Sequence, residues 1–540
     1  MDVAILDGYL DEPSCLGVPP YLAPHLRYTY GALKDSGLGK EEIYYLTIDQ
    51  FRSNQEQEWN KLQEADLIII MAGTTVPGKY LGGKPISLEE IEALGQDLKE
   101  QEVILSGPIT NCDLEINNIQ EFAYEIPGLK VYEKLTRENP LEKEESAQLI
   151  DRWAQLGAEL TTKHPNFPEL MCEIETFRGC PRDKNCSFCS EGFKDVTYQR
   201  SIEGIINEIE ALYQLGNRYF RLGGQTDLLL YHAENKEGQL IPNPDAIEEL
   251  YQGIREVAPN LKVLHMDNMN PSNIVDYPQR AKKILTTIAK HNTAGDIAAF
   301  GLESADPKVL KENKIGTTPA KTKEAIKIMN QIGGFREEGV PKLLPGINLL
   351  HGLQGERTKT MELNYQFLKD ILESDLLVRR INIRQVNPVG DYEVADYNQH
   401  QFKEYKEKIN QEINEPMLEK VFPKGTILRE IIIEENKGKV AFGRQIGTYP
   451  ILVGIPGEYE IGEKLDVKVI DHGYRSITAL PTPFDINQAG ISQLESLPGI
   501  GKNRAIKIFM AGEIKSLADL EDLLEGYDAS QLQEVVDFSI

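Results

Sequence analysis

Three cysteines lie within ten residues of one another, at Cys180, Cys186 and Cys189, in a chain that contains only six cysteines. Their spacing, C-x5-C-x2-C, lets one short loop surround a single metal centre. Three thiolates suit either an iron–sulfur cluster with one iron left open or a zinc ion whose fourth ligand lies elsewhere. The fourth ligand therefore decides which centre the loop holds.

The nearest further thiol is Cys172, in a stretch from Met171 to Phe177 that alternates as a strand does. At about 3.3 Å per residue, this thiol would lie roughly 20 Å behind the loop. We therefore interpret Cys172 as a buried strand residue. An incomplete set of thiolates then favours a cluster whose open iron binds another molecule.

Three motifs follow the cysteine loop. Residues 219–225 (YFRLGGQ) predict a strand that ends in a glycine turn, and residues 297–304 (IAAFGLES) and 347–356 (INLLHGLQGE) predict two later strands. Together with Phe188, the aromatic residue before the last cysteine, these motifs resemble the radical S-adenosylmethionine superfamily. The usual signature of that family is C-x3-C-x2-C, so the first gap here is two residues longer.

The resemblance implies a [4Fe-4S] cluster held by the three cysteines of the loop, with S-adenosylmethionine chelated by the open iron. It also implies contacts to S-adenosylmethionine from Phe188, Gly223, Gly224, Gln225, Glu303 and Ser304. Arg384 and Gln385, near the end of a predicted sixth strand, are candidates for contacts with the adenosine or the substrate. Further polar residues at strand ends that could contact the substrate are Asp227, His232, Asp267, Asn268, Asn270, Asn348 and His351.

The chemistry of that family follows from the resemblance. One electron enters the cluster and splits S-adenosylmethionine into methionine and a 5′-deoxyadenosyl radical, which takes a hydrogen atom from the substrate. A ferredoxin-type or flavodoxin-type electron donor is therefore expected as a partner. The protein has to position the cofactor and exclude water.

The elements that position these residues fall in residues 165–420, which resemble a partial (β/α)6 barrel. Because the carboxyl ends of parallel barrel strands converge on one face, residues just after each strand can reach a shared ligand. The charged stretch from Gln399 to Lys420 is predicted to be a helical bridge to the next domain.

Residues 1–164 predict an open α/β domain with a Rossmann-like or flavodoxin-like parallel sheet, because strand patterns alternate with helical ones. The predicted strands are 3–6, 43–48, 66–71 and 102–106, and the predicted helices are 21–35 and 87–100.

Relatives of the resembled family carry such a domain in one of two forms. One form binds cobalamin, often through a D-x-H-x-x-G loop that this chain lacks, although some relatives bind cobalamin without that histidine. The other form belongs to methylthiotransferases and uses three cysteines for a second cluster, whereas only Cys15 and Cys112 are available here. We therefore interpret both as small buried thiols and leave cobalamin open as a further cofactor.

Residues 421–482 contain five short β-rich runs separated by glycines, which predicts a small barrel of the oligonucleotide-binding type. The segments 443–447 (GRQIG) and 462–469 (GEKLDVKV) are similar to the TRAM domain of RNA-modifying enzymes. An unrelated structural barrel is the alternative. A nucleic-acid surface on this barrel would take its cations and stacking rings from Arg444, Tyr449, His472, Tyr474 and Arg475.

Residues 483–540 contain LPGIG at 497–501 between two helical segments, which resembles a helix-hairpin-helix motif. Gly499 and Gly501 expose backbone N–H groups, and the start of the next helix offers partial positive charge to a phosphate. Lys502, Arg504 and Lys507 add charge of the same sign. Some copies of this motif bind protein or only pack against neighbouring segments, so nucleic-acid binding is an expectation.

The formal charge of −27 argues against indiscriminate binding of polyanions, so any nucleic-acid contact must come from local basic patches. The longest apolar run, residues 67–72, is too short to span a bilayer, and the start of the sequence lacks a signal-peptide pattern. We therefore expect a cytoplasmic protein without a membrane partner. In such a chain, clustered cysteines indicate metal ligation rather than disulfides.

Three functions are compatible with these patterns. The leading interpretation is a radical enzyme that modifies RNA, with transfer RNA favoured, because two carboxy-terminal modules resemble nucleic-acid binders. The second is a cobalamin-dependent methylase acting on a protein or a small molecule, and the third is a non-catalytic zinc-containing scaffold that binds nucleic acid. As a whole, the layout resembles a group of archaeal radical S-adenosylmethionine proteins that end in a helix-hairpin-helix motif.

Overall fold

The computed structural model describes residues 1–9, 21–73, 84–111, 119, 121–123, 126–138, 143–182, 184–194, 197–387, 392–396, 398–533 and 535–538. Cys15 and Cys112 lie outside these residues. No helix in the described part of the chain is long and apolar enough to cross a membrane.

The amino-terminal residues form a five-stranded parallel sheet. Its strands are Val3–Asp7, Ile43–Thr47, Leu67–Met71, Glu102–Ser106 and Glu121–Ala123. Numbered along the chain, they lie side by side in the order 2-1-3-4-5, which is the order of flavodoxin-like folds. The helices of this part are Pro24–Asp35, Ile48–Ser53, Gln55–Glu64, Leu88–Asp97, Pro127–Thr136 and Lys143–Leu156. The predicted parallel α/β sheet is confirmed.

The predicted helix from about Tyr21 begins instead at Pro24. A proline disfavours helical backbone in the residue before it and fits the first helical turn, so Ala23 is extended. Tyr21–Leu22 form a short strand that pairs with Met171 and Cys172 of the next domain. A strand from the amino-terminal domain thus joins the sheet of the domain predicted to begin at residue 165.

Six parallel strands in chain order form the partial barrel. They are Met171–Glu175, Tyr219–Gly223, Val263–Met266, Asp296–Glu303, Leu343–His351 and Arg380–Gln385. The first three strands pair in one sheet and the last three in another, and a bridge between Asn268 and Ala299 connects the two sheets. The helices around them are Ile202–Leu215, Pro244–Val257, Pro271–Asp276, Pro278–His291, Pro307–Glu312, Pro319–Gly333 and Thr358–Glu373. Cys172 is buried in the first strand, as predicted.

A largely buried ion-pair network joins the amino-terminal domain to the barrel. Arg27 Nη2 lies 2.7 Å from Glu208 Oε1, and both side chains are inaccessible to solvent. Arg200 pairs with the other oxygen of Glu208 and, at 2.7 Å, with Asp151. Since Arg27 and Asp151 belong to amino-terminal helices and Glu208 to a barrel helix, the network fixes the two domains against each other.

Helical segments then lead to a closed five-stranded barrel. The linker consists of Gln399–Ile409, a π-helical turn at Asn410–Asn414 and Glu415–Val421. The barrel strands are Ile427–Lys437, Val440–Arg444, Leu452–Pro456, Lys464–His472 and Ser476–Pro481. The third and fifth strands pair in parallel, which gives a Greek-key barrel like that of oligonucleotide-binding folds. The predicted small barrel is confirmed.

The loop between the second and third strands of this small barrel inserts into the base of the large one. Ile446 packs against Met171 and Tyr219, near the amino ends of the first two large-barrel strands. Thr448 N donates a hydrogen bond of 2.9 Å to His265 Nδ1 in the third strand. The two barrels are therefore in close contact.

The carboxy-terminal residues pack on the small barrel through a separate apolar cluster that includes Ile470 and Leu480. The helices are Ile491–Glu495, Lys502–Met510 and Leu517–Leu523, followed by a 3-10 turn at Ala529–Leu532. Helices flank the glycine turn at residues 497–501, as the sequence predicted.

Candidate active site

The three clustered cysteines lie on one loop that the fold closes at its base. Phe177–Arg178 pair antiparallel with Tyr198–Gln199, so the described residues between them belong to one loop that follows the carboxyl end of the first barrel strand. Gly179 has a φ of +93°, and a Cβ there would lie 2.6 Å from Thr197 Cγ2. Glycine is therefore required where the chain turns into the first ligand position.

Arg182, which sequence reasoning did not select, supports this loop. Its Nη1 donates to Cys186 Sγ over 3.2 Å, and its Nη2 donates to the carbonyl oxygen of Lys314 over 3.0 Å. A Cβ on Gly316 would lie 2.6 Å from the guanidinium carbon of Arg182, so glycine at that position leaves room for it. The signal in the sequence was a cation inside the unusually long first gap.

A second group holds the loop from the side of the fourth and fifth strands. The Ser187 amide donates to the carbonyl oxygen of Asn313 over 3.2 Å, and Tyr392 OH donates to Asn313 Oδ1 over 2.6 Å. Phe188 packs edge-on against Tyr392, with ring centroids 6.4 Å apart. Asn313 and Tyr392 have no motif around them, so the sequence alone did not identify them.

The three thiols differ from the ligand set of a single tetrahedral zinc ion. Three thiolates on one zinc ion lie about 3.8 Å apart, given Zn–S bonds of about 2.3 Å and tetrahedral angles. Among the described residues, no three His, Cys, Asp or Glu side chains are placed to hold one metal ion. Burial raises the pKa of the Cys189 thiol to about 11, so a cationic centre is needed to hold it as the thiolate. That Cys180, Cys186 and Cys189 hold the cluster stays a prediction.

Glu303 faces the cysteine loop from the end of the fourth strand. The strand pairing shifts between Gly301 and Glu303, and Glu303 adopts a φ of +62°. Bulges re-aim side chains, and a non-glycine residue in this backbone region is strained. Burial raises the pKa of the Glu303 carboxyl to about 8, an effect that the charge of Arg384 opposes. The strained backbone places a carboxyl group beside the thiols.

The predicted glycine turn lies where expected, at the end of the second strand. A Cβ on Gly223 would lie 2.1 Å from Glu173 Oε1, so the strand can pass that carboxylate only as glycine. Gly224 is exposed and has a φ of +74°. Its backbone is therefore open to a ligand at the barrel face.

Two of the residues predicted to contact S-adenosylmethionine have buried side chains. Gln225 is buried; its amide accepts from Thr176 Oγ1 over 3.2 Å and donates to the carbonyl of Leu222 over 3.1 Å. Ser304 is buried, and its hydroxyl accepts from the Asp306 amide over 3.1 Å. Both side chains bond to neighbouring loop residues, and their contact with S-adenosylmethionine stays a prediction.

The sixth strand ends in exposed Arg384 and Gln385. Arg384 Nε donates to Asn382 Oδ1 over 3.2 Å, and Gln385 Nε2 donates to Gln399 Oε1 over 3.3 Å. Both side chains lie at the accessible edge of the barrel face, where the sequence placed them.

The other predicted polar residues divide into two groups. Asp267 and Asn348 lie inside the barrel, where Asp267 accepts from Tyr449 OH over 2.9 Å and Asn348 accepts from Asn382 over 3.1 Å. The remaining five make local contacts. Asp227 and Asn270 cap a turn and a helix, and His232 and Asn268 bond to backbone carbonyl oxygens of neighbouring loops. His351 is buried beside Glu356.

The residues predicted to bind nucleic acid are also only partly available. Arg444 is buried and pairs with Glu434 over 2.7 Å, and Tyr449 lies in the interface between the barrels, so neither presents a free surface. His472 contacts the carbonyl oxygen of Phe422. Tyr474 and Arg475 are exposed. In the hairpin, Gly499 has a φ of +71°, Gly501, Lys502 and Lys507 are exposed, and half-buried Arg504 donates to the carbonyl of Gly499 over 2.8 Å.

In a comparison with protein families, residues 174–362 match the Radical SAM superfamily. An uncharacterized protein of Archaeoglobus fulgidus is 41% identical over 533 residues, which cover 96% of this chain and 97% of that protein. The matched family region contains the cysteine loop and the Gly223, Gly224 and Glu303 positions.

Two solved structures share the fold. The radical S-adenosylmethionine methyltransferase TsrM of Kitasatospora setae, with tryptophan and a cofactor analogue bound, has a TM-score of 0.50 at 13% identity, over 71% of this chain and 72% of TsrM. The apo form of OxsB, a cobalamin-dependent S-adenosylmethionine radical enzyme, has a TM-score of 0.51 at 14% identity, over 76% of this chain and 55% of OxsB. At these identities the likeness concerns the fold alone.

Proposed function

This chain belongs to the radical S-adenosylmethionine superfamily, whose members use a [4Fe-4S] cluster and S-adenosylmethionine, and we propose that within this superfamily it is an enzyme that modifies RNA. When bound, the reduced cluster and its cofactor supply a 5′-deoxyadenosyl radical that takes a hydrogen atom from the substrate. We assign the cluster to Cys180, Cys186 and Cys189, and the cofactor to the barrel face near Phe188, Gly224 and Glu303.

The residues around the loop would keep this chemistry in place. Arg182 and Ser187 donate to the carbonyl oxygens of Lys314 and Asn313, which directly follow helix Pro307–Glu312 and so tie the cysteine loop to the barrel. Asp267 and Asn348, inside the barrel, are placed to contact a substrate at the barrel face. The inserted loop of the small barrel packs against the opposite end through Ile446.

The hairpin at residues 491–510 is the observation that supports RNA as the substrate. Helix Lys502–Met510 begins at exposed Gly501 without a side-chain cap, so its first N–H groups are open to solvent. Exposed Lys502 and Lys507 add positive charge to a chain that is otherwise acidic. Unsatisfied N–H groups and cations together attract a phosphate.

A nucleoside profile tests this proposal. RNA from a strain without the gene is digested and compared with wild-type RNA by mass spectrometry. We expect one modified nucleoside to disappear, to return with the wild-type gene, and to stay absent with Cys186→Ala. Identical profiles with and without the gene would refute an RNA substrate.

A second candidate is methyl transfer that uses cobalamin. In flavodoxin-like sheets, ligands bind at the carboxyl edge between the first and third strands, which here end at Asp7 and Met71. Tyr9 follows the first of these strands, and Glu173 belongs to the first barrel strand. Burial and the charges of Asp7 and Glu173 raise the pKa of Tyr9, so this edge lies close to the barrel. TsrM and OxsB, which share the fold, are described as a methyltransferase and a cobalamin-dependent enzyme.

Residues 10–20 and 74–83, which follow those two strands, lie outside the described residues, so no residue is assigned to the corrin. The test is the corrinoid content of protein produced anaerobically with cobalamin in the medium. About one corrinoid per chain supports this candidate, and its absence after cluster reconstitution rejects it. The corrinoid content does not test the RNA proposal, because that proposal concerns the substrate and not the cofactor.

A further inference from the structure

A cavity of about 130 Å³ lies where the sixth barrel strand, the helical linker and the small barrel meet; we call it the strand-six cavity. A water needs roughly 10–15 Å³ by the same measure, so the cavity has room for a polyatomic ion. Its charged lining consists of Arg379, Arg380, Lys406 and Arg475. Its other polar lining consists of Asn382, Asn410, Asn414, Tyr449 and Tyr474.

Among the described residues, none of the four cations forms a salt bridge, although the charge of Asp267 acts on Arg380. Arg379 contacts the Phe422 ring at 4.8 Å and donates to the carbonyl of Tyr449 over 3.3 Å. Arg380 lies over the Tyr449 ring at 3.8 Å. The chain has 85 acidic and 58 basic residues, yet no acidic side chain is among the described residues that line this cavity.

Burial and the neighbouring positive charges lower the pKa of two of these cations. Burial, together with the charge of Arg380, lowers the pKa of Arg379 to about 9. Burial and the charge of Arg475 also lower the pKa of Lys406. An anion in the cavity would offset both effects, because an opposite charge favours the charged form of each group.

We propose that the strand-six cavity binds a backbone phosphate of single-stranded RNA and that Tyr474 stacks on a neighbouring base. This inference rests on the RNA substrate proposed above and names where the strand enters. Tyr474, 44% exposed, and Arg475 lie in the turn between the fourth and fifth strands of the small barrel. That turn binds oligonucleotides in folds of this type, and exposed aromatic rings there stack on bases.

The cavity is close enough to the active face for one RNA strand to reach both. Arg380 and Arg384 point to the same side of the sixth strand, about 13 Å apart at roughly 3.3 Å per residue. Between them, Asn382 bonds to Asn348 inside the barrel. A phosphate held at Arg380 therefore leaves a nearby nucleoside within reach of Arg384 and Glu303.

Anisotropy of a fluorescein-labelled 20-nucleotide single-stranded RNA, titrated with the full-length protein, tests the site. The cavity variant is Lys406→Gln/Arg475→Gln, and the control with the same charge change is Lys359→Gln/Lys403→Gln, two exposed lysines outside the cavity. We expect the cavity variant to bind about tenfold more weakly, with the slope of log K against log salt reduced by about 0.7 per lost phosphate contact. The control should bind within about twofold of wild type.

Tyr474→Leu separates stacking from charge. We expect this variant to bind more weakly with an unchanged salt slope, because it removes a ring and no cation. If Lys406→Gln/Arg475→Gln lowers the unfolding midpoint, Arg475→Gln alone serves, since that side chain is exposed. It should lose at least threefold in affinity.

Each outcome decides between the proposals. Equal binding by the cavity and control variants overturns the strand-six site and leaves the RNA substrate intact. No binding by the wild-type protein overturns both. Displacement of the labelled RNA by inorganic phosphate or a mononucleotide as effectively as by unlabelled RNA overturns the strand assignment and gives the cavity to a small phosphate.

Discussion

The five residues between the first two cysteines include Arg182, whose guanidinium bonds both Cys186 Sγ and the carbonyl of Lys314. A gap of three residues would leave a shorter loop, with less room for Arg182 to reach both partners. The cation supports a ligand from outside the metal centre, as partners of metal ligands commonly do. The departure from the usual spacing thus has a structural cause.

Arg182→Ala should weaken the hold on the cluster without abolishing it. Loss of a partner of a metal ligand typically costs about 10- to 100-fold in metal affinity or activity. We expect iron to leave the reconstituted variant for a chelator at least tenfold faster than from wild type. Lys184→Ala, an exposed cation of the same loop, is the control and should release iron at the wild-type rate.

Asp296 gives the protein a pH-dependent stability. Burial raises the pKa of this carboxyl from its ordinary value of 3.8 to about 7, although it accepts from the amides of Met266 and Ile297. The folded state keeps the proton up to about pH 7 while the unfolded state releases it near pH 4. The stabilising contribution present below pH 4 is therefore lost as the pH rises to 7.

Asp296→Asn should remove that part of the pH dependence. The side-chain amide of Asn292, which donates to Asp296 Oδ2, can rotate to accept from the amide group that replaces the carboxyl. Relative to wild type, the free energy of unfolding should gain up to about 4 kcal/mol between pH 4 and pH 8. Urea unfolding at both pH values measures this, and an unchanged difference between the proteins would contradict the assignment.

At the scale of elements, the joins between domains are the features that local patterns did not predict. Pro24 moves the helix start and frees Tyr21–Leu22 to pair with the first barrel strand. Arg27, on that helix, reaches Glu208 on a barrel helix. A partner 181 residues away in the chain leaves no trace in the spacing of either segment.

Arg27→Met tests the buried network between these helices. Removing one partner leaves Glu208 with only Arg200, and breaking a buried pair costs about 3–5 kcal/mol. Lys34, on the same helix as Arg27, forms a partly exposed pair with Glu159. Lys34→Met breaks this pair and should cost less than about 1 kcal/mol. Equal losses in urea unfolding would show that the buried network does not join the domains.

At the scale of the whole molecule, the sequence predicted the parallel α/β sheet, the partial barrel and the small closed barrel, but not which of their residues are buried between them. The cysteine loop, the glycine turn at Gly223–Gly224 and the Glu303 position were recognisable because local spacing defines them. Arg444 and Tyr449 were assigned to a nucleic-acid surface, yet they are enclosed by packing within and between the barrels. Burial that depends on distant segments cannot be read from a five-residue motif.

The contact between the two barrels should contribute to the stability of both. Ile446→Ala removes apolar contacts with Met171 and Tyr219 and should cost about 2–5 kcal/mol. Ile461→Ala, at a side chain that is 63% exposed, should change stability by less than about 0.5 kcal/mol. Limited proteolysis should then cut the Ile446→Ala variant faster between the barrels, and equal cutting would contradict close docking.

The central claim is that Cys180, Cys186 and Cys189 hold a cluster that activates S-adenosylmethionine. Anaerobically reconstituted protein is assayed for iron and sulfide and, after reduction with S-adenosylmethionine present, for 5′-deoxyadenosine. The account predicts about four irons per chain and release of 5′-deoxyadenosine, both lost in Cys180→Ala, Cys186→Ala and Cys189→Ala, while Cys172→Ala retains both. A zinc-loaded, colourless protein that releases no 5′-deoxyadenosine would contradict it.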